Sequence, residues 1–200
     1  LDWPGWWAVV LYLALGSLVT RLGFRRKQQQ GLAEARGGRR GPENVWGSAA
    51  TGAALALLTV LPTAPVALLQ LGFAASFAAK LADTFGSEIG KRWGRRTLLI
   101  TTLQPVPPGT EGAVSLEGTA ASLVGSGLMA AVMLRLGLLN DGACWLLVTA
   151  VGLVATLLES WIGAELQRRW HWLSNELVNA IQTLLAAVLA MALGQAFGLV

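Results

Sequence analysis

Six stretches of this chain are apolar over enough residues, or nearly enough, to cross a lipid bilayer. That pattern constrains the fold more than any other feature. A spanning helix needs about 20 mostly apolar residues. The candidates are residues 6–22, 47–61, 66–82, 119–139, 143–159 and 177–200. The second is short, and only Pro62-Thr63-Ala64-Pro65 separates it from the third, so these two are expected as an antiparallel pair joined by a tight turn. Both are rich in alanine (Ala49, Ala53, Ala74, Ala75, Ala78, Ala79), which lets helix backbones approach closely in lipid and places them in the bundle interior. The first stretch has no basic leader and no small-residue cleavage site, so it is expected as a true span rather than a signal peptide. Composition agrees: of 200 residues, 54% are hydrophobic and only 13% charged, about half the charge of a soluble domain. The expected fold class is all-α, a polytopic integral membrane protein with about six spans. It forms one domain over residues 1–200, with loops at 23–46, 83–118 and 160–176.

The charges sort by membrane face. Of the 15 lysines and arginines, all but Arg135 follow spans one, three or five, and the positive-inside rule makes that face cytoplasmic, with both termini opposite. Trp3, Trp6, Trp7 and Trp145 mark the outer interface, and Trp46, Trp93, Trp161, Trp170 and Trp172 the inner one. Of the 11 acidic residues, all but Asp2 and Asp141 share the basic face. The positive-inside rule does not require that, since acids contribute little to orientation. Mixed charge at one face suggests a site for a charged ligand with a metal, though part of it is ordinary solvated loop. The basic excess is not read as nucleic-acid binding, because the cations flank spans and no basic–aromatic interleaving occurs. A single Cys144 excludes a disulfide framework, and a single His171 excludes a multi-histidine zinc centre.

Three segments on that face carry residues suited to chemistry. In 31–46, Arg36, Arg39 and Arg40 stand among glycines. Guanidinium forks match phosphate oxygens, and a polybasic loop lying on anionic lipid is an equal reading. In 80–92, Lys80 and Asp83 fall at membrane depth, where ionisable groups point to function by default. The competing reading is a Lys80–Asp83 pair that fixes helix packing. Asp83 and Glu88 are five residues apart, about 140° around a helix, so they could share a metal only if Gly86 or Gly90 broke it. Two oxygen ligands with waters and phosphates suit Mg²⁺. In 159–165, Glu159-Ser160-Trp161 repeats Asp83-Thr84-Phe85 as acid, hydroxyl and aromatic, and Asn175 and Asn179 open the last span at i,i+4 spacing. This weak match could be a parallel internal repeat, and transporters often bind substrate at repeat interfaces. Between the second and third segments, 101–119 holds three prolines and three glycines. It could cradle phosphates, cover a site or serve as a structured linker.

GLAEARGGRRGPENVWGSAATG (31–52), ADTFGSEIGK (82–91), LITTLQPVPPGTEGAVSLEGT (99–119) and the Glu159-Ser160 and 175–179 pair resemble the transmembrane protein 19 family. Within it the resemblance is to the chloroplast and cyanobacterial branch of phytyl-phosphate kinases of tocopherol synthesis. It covers most of the chain from about residue 27. Phe85 and Gly86 stand where members often carry Trp or Leu and Ala.

The resemblance implies transfer of a phosphoryl group from a nucleoside triphosphate, CTP being the expected donor, to phytyl phosphate. The product, phytyl diphosphate, would serve tocopherol or phylloquinone synthesis. It implies Mg²⁺ as cofactor, with Asp83, Glu88 and Glu159 as metal ligands and Asp83, Glu88 and Lys91 as catalytic residues. Nucleotide and phosphates would be held by Arg36, Arg39, Arg40, Asn44, Thr84, Ser87, Thr101, Thr102, Gly109, Thr110, Ser160, Asn175 and Asn179. The expected partners are the prenyl-phosphate lipid, the nucleotide and membrane lipid, and copies of the chain could associate as a homo-oligomer. A kinase acting on phytol or another polyprenol is one alternative; it would need a base for the alcohol. A small transporter or flippase for a phosphorylated lipid is another. Against it, only Gln70 and Gln195 interrupt the apolar outer halves of spans three and six.

Overall fold

Residues 71–82 are buried on every side, which makes the helix that carries them the axis of the molecule. The computed structural model describes residues 1–33, 42–167, 169–170 and 172–200, the side chains of 42–44 excepted. Among the described residues the helices are α1 (Asp2–Arg21), α2 (Phe24–Gln29), α3 (Pro42–Leu58), α4 (Val66–Trp93), α5 (Leu116–Arg135), α6 (Gly142–Ile162, running on as a π turn over Gly163–Gln167) and α7 (Asn175–Ala196). Helix α4 is the axis. Around it α1, α5, α6, α7 and α3 stand in that order, each packed on α4 and on the next. A helix can be enclosed this way only if it is apolar or small all round, and Ala74, Ala75, Ala78, Ala79 and Ala82 supply that surface. Glycines on the surrounding helices bring the backbones together. A Cβ on Gly125 would lie 2.9 Å from Leu81 O, and one on Gly152 would lie 3.2 Å from the backbone of Ala78 and Ala79.

Large apolar residues face outward: Leu123, Val124 and Leu128 on α5, Leu146 and Val154 on α6, Leu184 and Val188 on α7. Among the described residues five helical segments are long and apolar enough to cross a membrane: α1, α4, α5, α6 with its π turn, and α7. About six spans were expected, and α3 is the sixth apolar helix. The apolar part of α3, Val45–Leu58, is shorter; its fourteen residues reach only about 21 Å, against a hydrocarbon core of about 30 Å. α3 also buries one face only, leaving Trp46 and Leu57 exposed, whereas α4 lies fully inside.

The polar segment from residue 83, expected as loop, continues α4 as helix to Trp93. The reason lies in its neighbour. Gly86 and Gly90 do not break the helix but face the start of α5, where a Cβ on Gly86 would meet Ser122 Oγ at 2.1 Å. Polarity here marks a chamber between helices. The remaining expected loops also hold helix: α2 lies within 23–46, and residues 160–167 complete α6 and its π turn.

Between α4 and α5 a small antiparallel hairpin pairs β1 (Leu98–Leu99) with β2 (Ala113–Val114), in register Leu98↔Val114 and Leu99↔Ala113. Its long turn folds back on itself through Leu99 N–H to Gln104 O (2.9 Å) and Val106 N–H to Thr97 O (3.0 Å). The starts of α5, α7 and α6 are capped. Ser115 Oγ accepts from Gly118 N–H at 3.1 Å, Ser174 Oγ from Leu177 N–H at 3.3 Å, and Asp141 Oδ1 from Cys144 N–H at 2.9 Å. The bond from Cys144 holds the Asp141 carboxyl below its ordinary pKa.

Candidate functional site

A cavity of about 310 Å³ opens at one end of the bundle. Its walls are the last turns of α1, α4 and α6, the first turns of α5 and α7, and the hairpin turn from Pro108 to Ser115. Two helix N-termini therefore meet it, and their unpaired backbone N–H groups favour an anion.

Lys80 is a buried charge of the chamber. Buried in α4, its ammonium donates to the Asp83 carboxylate one turn on and to Asn179 Oδ1 of α7 at 2.8 Å. The backbone just before it is held from two sides. Thr156 Oγ1 lies 3.2 Å from Ala79 O, and Gln182 Nε2 donates to Ala79 O at 3.2 Å and to Thr156 Oγ1 at 3.2 Å. Thr84 closes the turn by donating to Lys80 O at 2.9 Å. An ion pair at membrane depth is thus oriented by α6 and α7 together. The Lys80–Asp83 pair of the competing reading exists, and it lines the cavity.

Opposite stands Glu159 on α6, and the charges that bear on it are those of Asp83, Lys80 and Glu111. The hairpin turn sits directly on the end of α6. Gly112, at φ +74°, has no room for a side chain: a Cβ there would lie 2.6 Å from Ser160 O and 2.4 Å from Ala164 Cβ. A π turn begins immediately after, at Gly163, and such turns often accompany functional sites.

Of the residues expected at a site, Asp83, Thr84, Ser87, Glu88, Lys91, Gly109, Thr110, Glu159, Ser160, Asn175 and Asn179 all line this one cavity. Thr101 and Thr102 do not. They lie on the outer turn of the hairpin, where Thr102 Oγ1 accepts from Gln104 N–H at 3.4 Å. Arg36, Arg39 and Arg40 lie outside the described residues, as does the side chain of Asn44. Lining residues that the sequence reading left unassigned include Lys80, Glu111, Thr97 and Ser122. A legible signal existed for part of this set: Ser115, Thr119 and Ser122 repeat at i, i+4 and i+7, a polar stripe on one face of α5.

The donor set fits a hard cation. Every polar side-chain atom on the wall other than the two lysine nitrogens and the amide nitrogens is oxygen, which suits Mg²⁺ rather than a soft metal. Asp83 and Glu159 offer the one or two carboxylates that Mg²⁺ takes besides phosphate and water. Among the described residues no three His, Cys, Asp or Glu side chains converge into a metal cage. Glu88 is paired with Lys27, and the unbroken helix keeps it well around from Asp83. Four carboxylates (Asp83, Glu88, Glu111, Glu159) and two lysines (Lys80, Lys91) line the wall.

The comparisons agree with the motifs. A family model described as integral membrane protein DUF92 matches residues 1–187. The chain is 50% identical over 192 residues to an uncharacterized membrane protein of the cyanobacterium Synechocystis, covering 96% of this chain and 74% of that one. It is 41% identical over 196 residues to the chloroplastic protein VTE6 of Arabidopsis thaliana, covering 96% of this chain and 59% of VTE6. An uncharacterized membrane protein of the archaeon Methanocaldococcus jannaschii is 32% identical over 180 residues, 90% of this chain and 72% of its own. The expected chloroplast and cyanobacterial kinship is borne out. No solved structure matches the chain.

Proposed function

The chain belongs to the DUF92 family of integral membrane proteins, and from that premise we propose that it is a prenyl-phosphate kinase. In this reading it transfers a phosphoryl group from a nucleoside triphosphate, CTP foremost, to phytyl phosphate, and its product serves tocopherol or phylloquinone synthesis. The likeness to the chloroplastic VTE6 supports that setting. One observation carries the reading: a buried lysine pinned by Asp83 and Asn179, two helix N-termini and an excess of carboxylates share one cavity at the end of a membrane bundle.

Phosphoryl transfer requires positioning and charge stabilisation more than covalent work by the protein. Lys80 would meet the phosphate oxygens on which charge accumulates, and Asn179 fixes the direction of its ammonium. Asp83 and Glu159 would hold Mg²⁺, which neutralises the phosphates of the donor when bound. The N-terminal turns of α5 and α7, opened by Ser115 and Ser174, offer further N–H donors. The hairpin turn, seated on α6 through Gly112, forms one wall of the chamber. A phosphate monoester is already nucleophilic near neutral pH, so no general base is assigned. The phytyl chain would lie among the outward apolar residues of the bundle, with its head in the cavity.

The test is the purified protein in detergent with Mg²⁺, phytyl phosphate and CTP, UTP, ATP or GTP in turn, the lipid products identified by mass. Phytyl diphosphate is expected with at least one nucleotide and is lost on chelation. No diphosphate from any nucleotide contradicts the proposal.

A further inference from the structure

We propose that Lys27 is a positioning residue for the cavity, and that Glu88 serves to hold Lys27 rather than a metal ion. Lys27 belongs to α2, a helix of 6 residues beside the bundle, yet none of it is exposed. Its ammonium pairs with the Glu88 carboxylate, itself 2% exposed, and donates to Thr20 O at 2.9 Å. Thr20 and Glu88 both line the cavity. One ammonium therefore ties the last turn of α1, the whole of α2 and the polar end of α4 into a single wall. It also satisfies a carbonyl in the last turn of α1, where a cation is favoured.

The backbone around Lys27 serves the same end. Gly23 turns the chain at φ +62°, and Arg92 of α4 lies against it, its Nε 2.6 Å from where a Cβ would be. Leu32 N–H donates to Lys27 O at 2.8 Å. Leu32 Cδ2 then abuts Gly109 of the hairpin turn, 2.8 Å from its Cβ position. The arm that Lys27 anchors thus touches both α4 and the hairpin. A buried ion pair is a poor source of net stability, because desolvation offsets the attraction, so geometry is the better account of this one. With Glu88 engaged, Asp83, Glu111 and Glu159 are the other carboxylates of the wall, Asp83 itself paired with Lys80.

The inference rests on the phosphotransfer reading for its kinetic readout alone. The experiment compares the full chain with Lys27→Met, Glu88→Leu and the double variant in detergent. It measures melting temperature, kcat per folded molecule and the Mg²⁺ concentration for half-maximal rate. Removing one partner strands a buried charge, whereas removing both leaves an apolar contact. Each single variant should melt lower and lose between about tenfold and about a hundredfold in kcat per folded molecule. The double variant should recover most of both losses with an unchanged Mg²⁺ requirement. A double variant as inactive as Glu88→Leu would show that Glu88 acts on the reactants, and wild-type kcat per folded molecule in Lys27→Met would reduce the pair to a fold contact; either overturns the proposal. If the wild type itself shows no turnover, the kinase reading falls, and the four melting temperatures still decide the pairing. Recovery in the double variant supports it, and additive losses overturn it.

Discussion

Lys80 lies where an isolated ammonium is costly, and Asp83 with Asn179 makes its burial tolerable. Replacing it with Met removes the cation assigned to the transferring phosphate and strands the Asp83 carboxylate. Lys80→Met should therefore lower kcat by roughly a hundredfold to a thousandfold and cost about 3 kcal/mol of stability, read from turnover and from melting in detergent. Near-wild-type turnover in this variant would remove Lys80 from the mechanism. Residues of this kind are legible in a sequence because a charge inside an apolar run needs a reason. Lys80 and Asp83 stood out on that ground, and both line the cavity. Lys27 did not, since it sits in a basic cluster and its partner Glu88 is 61 residues away. Thr101 and Thr102 illustrate the opposite limit: hydroxyls beside prolines suit a phosphate cradle, but the fold of the hairpin turns them outward.

At the scale of elements, α5 shows how the chamber is held open at one end and closed along its length. Gly125 faces α4, where a Cβ would lie 2.9 Å from Leu81 O and 2.9 Å from Phe85 Cβ. Two residues on, a Cβ on Gly127 would find ordinary contacts, the nearest 3.5 Å away at Thr149 Cγ2. Gly125→Ala should destabilise by about 1–3 kcal/mol through overpacking, outweighing the gain in helix propensity. Gly127→Ala should be neutral or stabilising by up to about 1 kcal/mol from that propensity. Thermal melting of both variants in one detergent checks the contrast, and equal shifts would contradict the packing described. Hydropathy located the helices well but not their ends. Residues 83–93 look like a loop because they are polar, yet they are helical because α5, α6 and the hairpin supply polar neighbours. Those neighbours follow from tertiary packing, which periodicity along one segment does not contain. The shortness of the second apolar stretch was visible from the start, and in the structure α3 is correspondingly short.

Across the whole molecule, charge and cavity share one end. The turns of α1, α4, α5, α6 and α7 that form the cavity belong to the end of the bundle that carries every described lysine and arginine but Arg135. The other end is apolar apart from a few residues, and α4 fills the middle with buried alanines. In the proposed reading such a body would admit water-soluble phosphates from that one end, and lipid would reach it laterally. The most direct measurement uses inside-out membrane vesicles carrying either the wild type or Asp83→Asn, supplied with phytyl phosphate, Mg²⁺ and a nucleotide labelled in its γ-phosphate. Label should pass into phytyl diphosphate with the wild type and fall by about a hundredfold or more with Asp83→Asn at equal folded protein. Equal labelling by the two proteins, or labelling confined to right-side-out vesicles, would contradict the account.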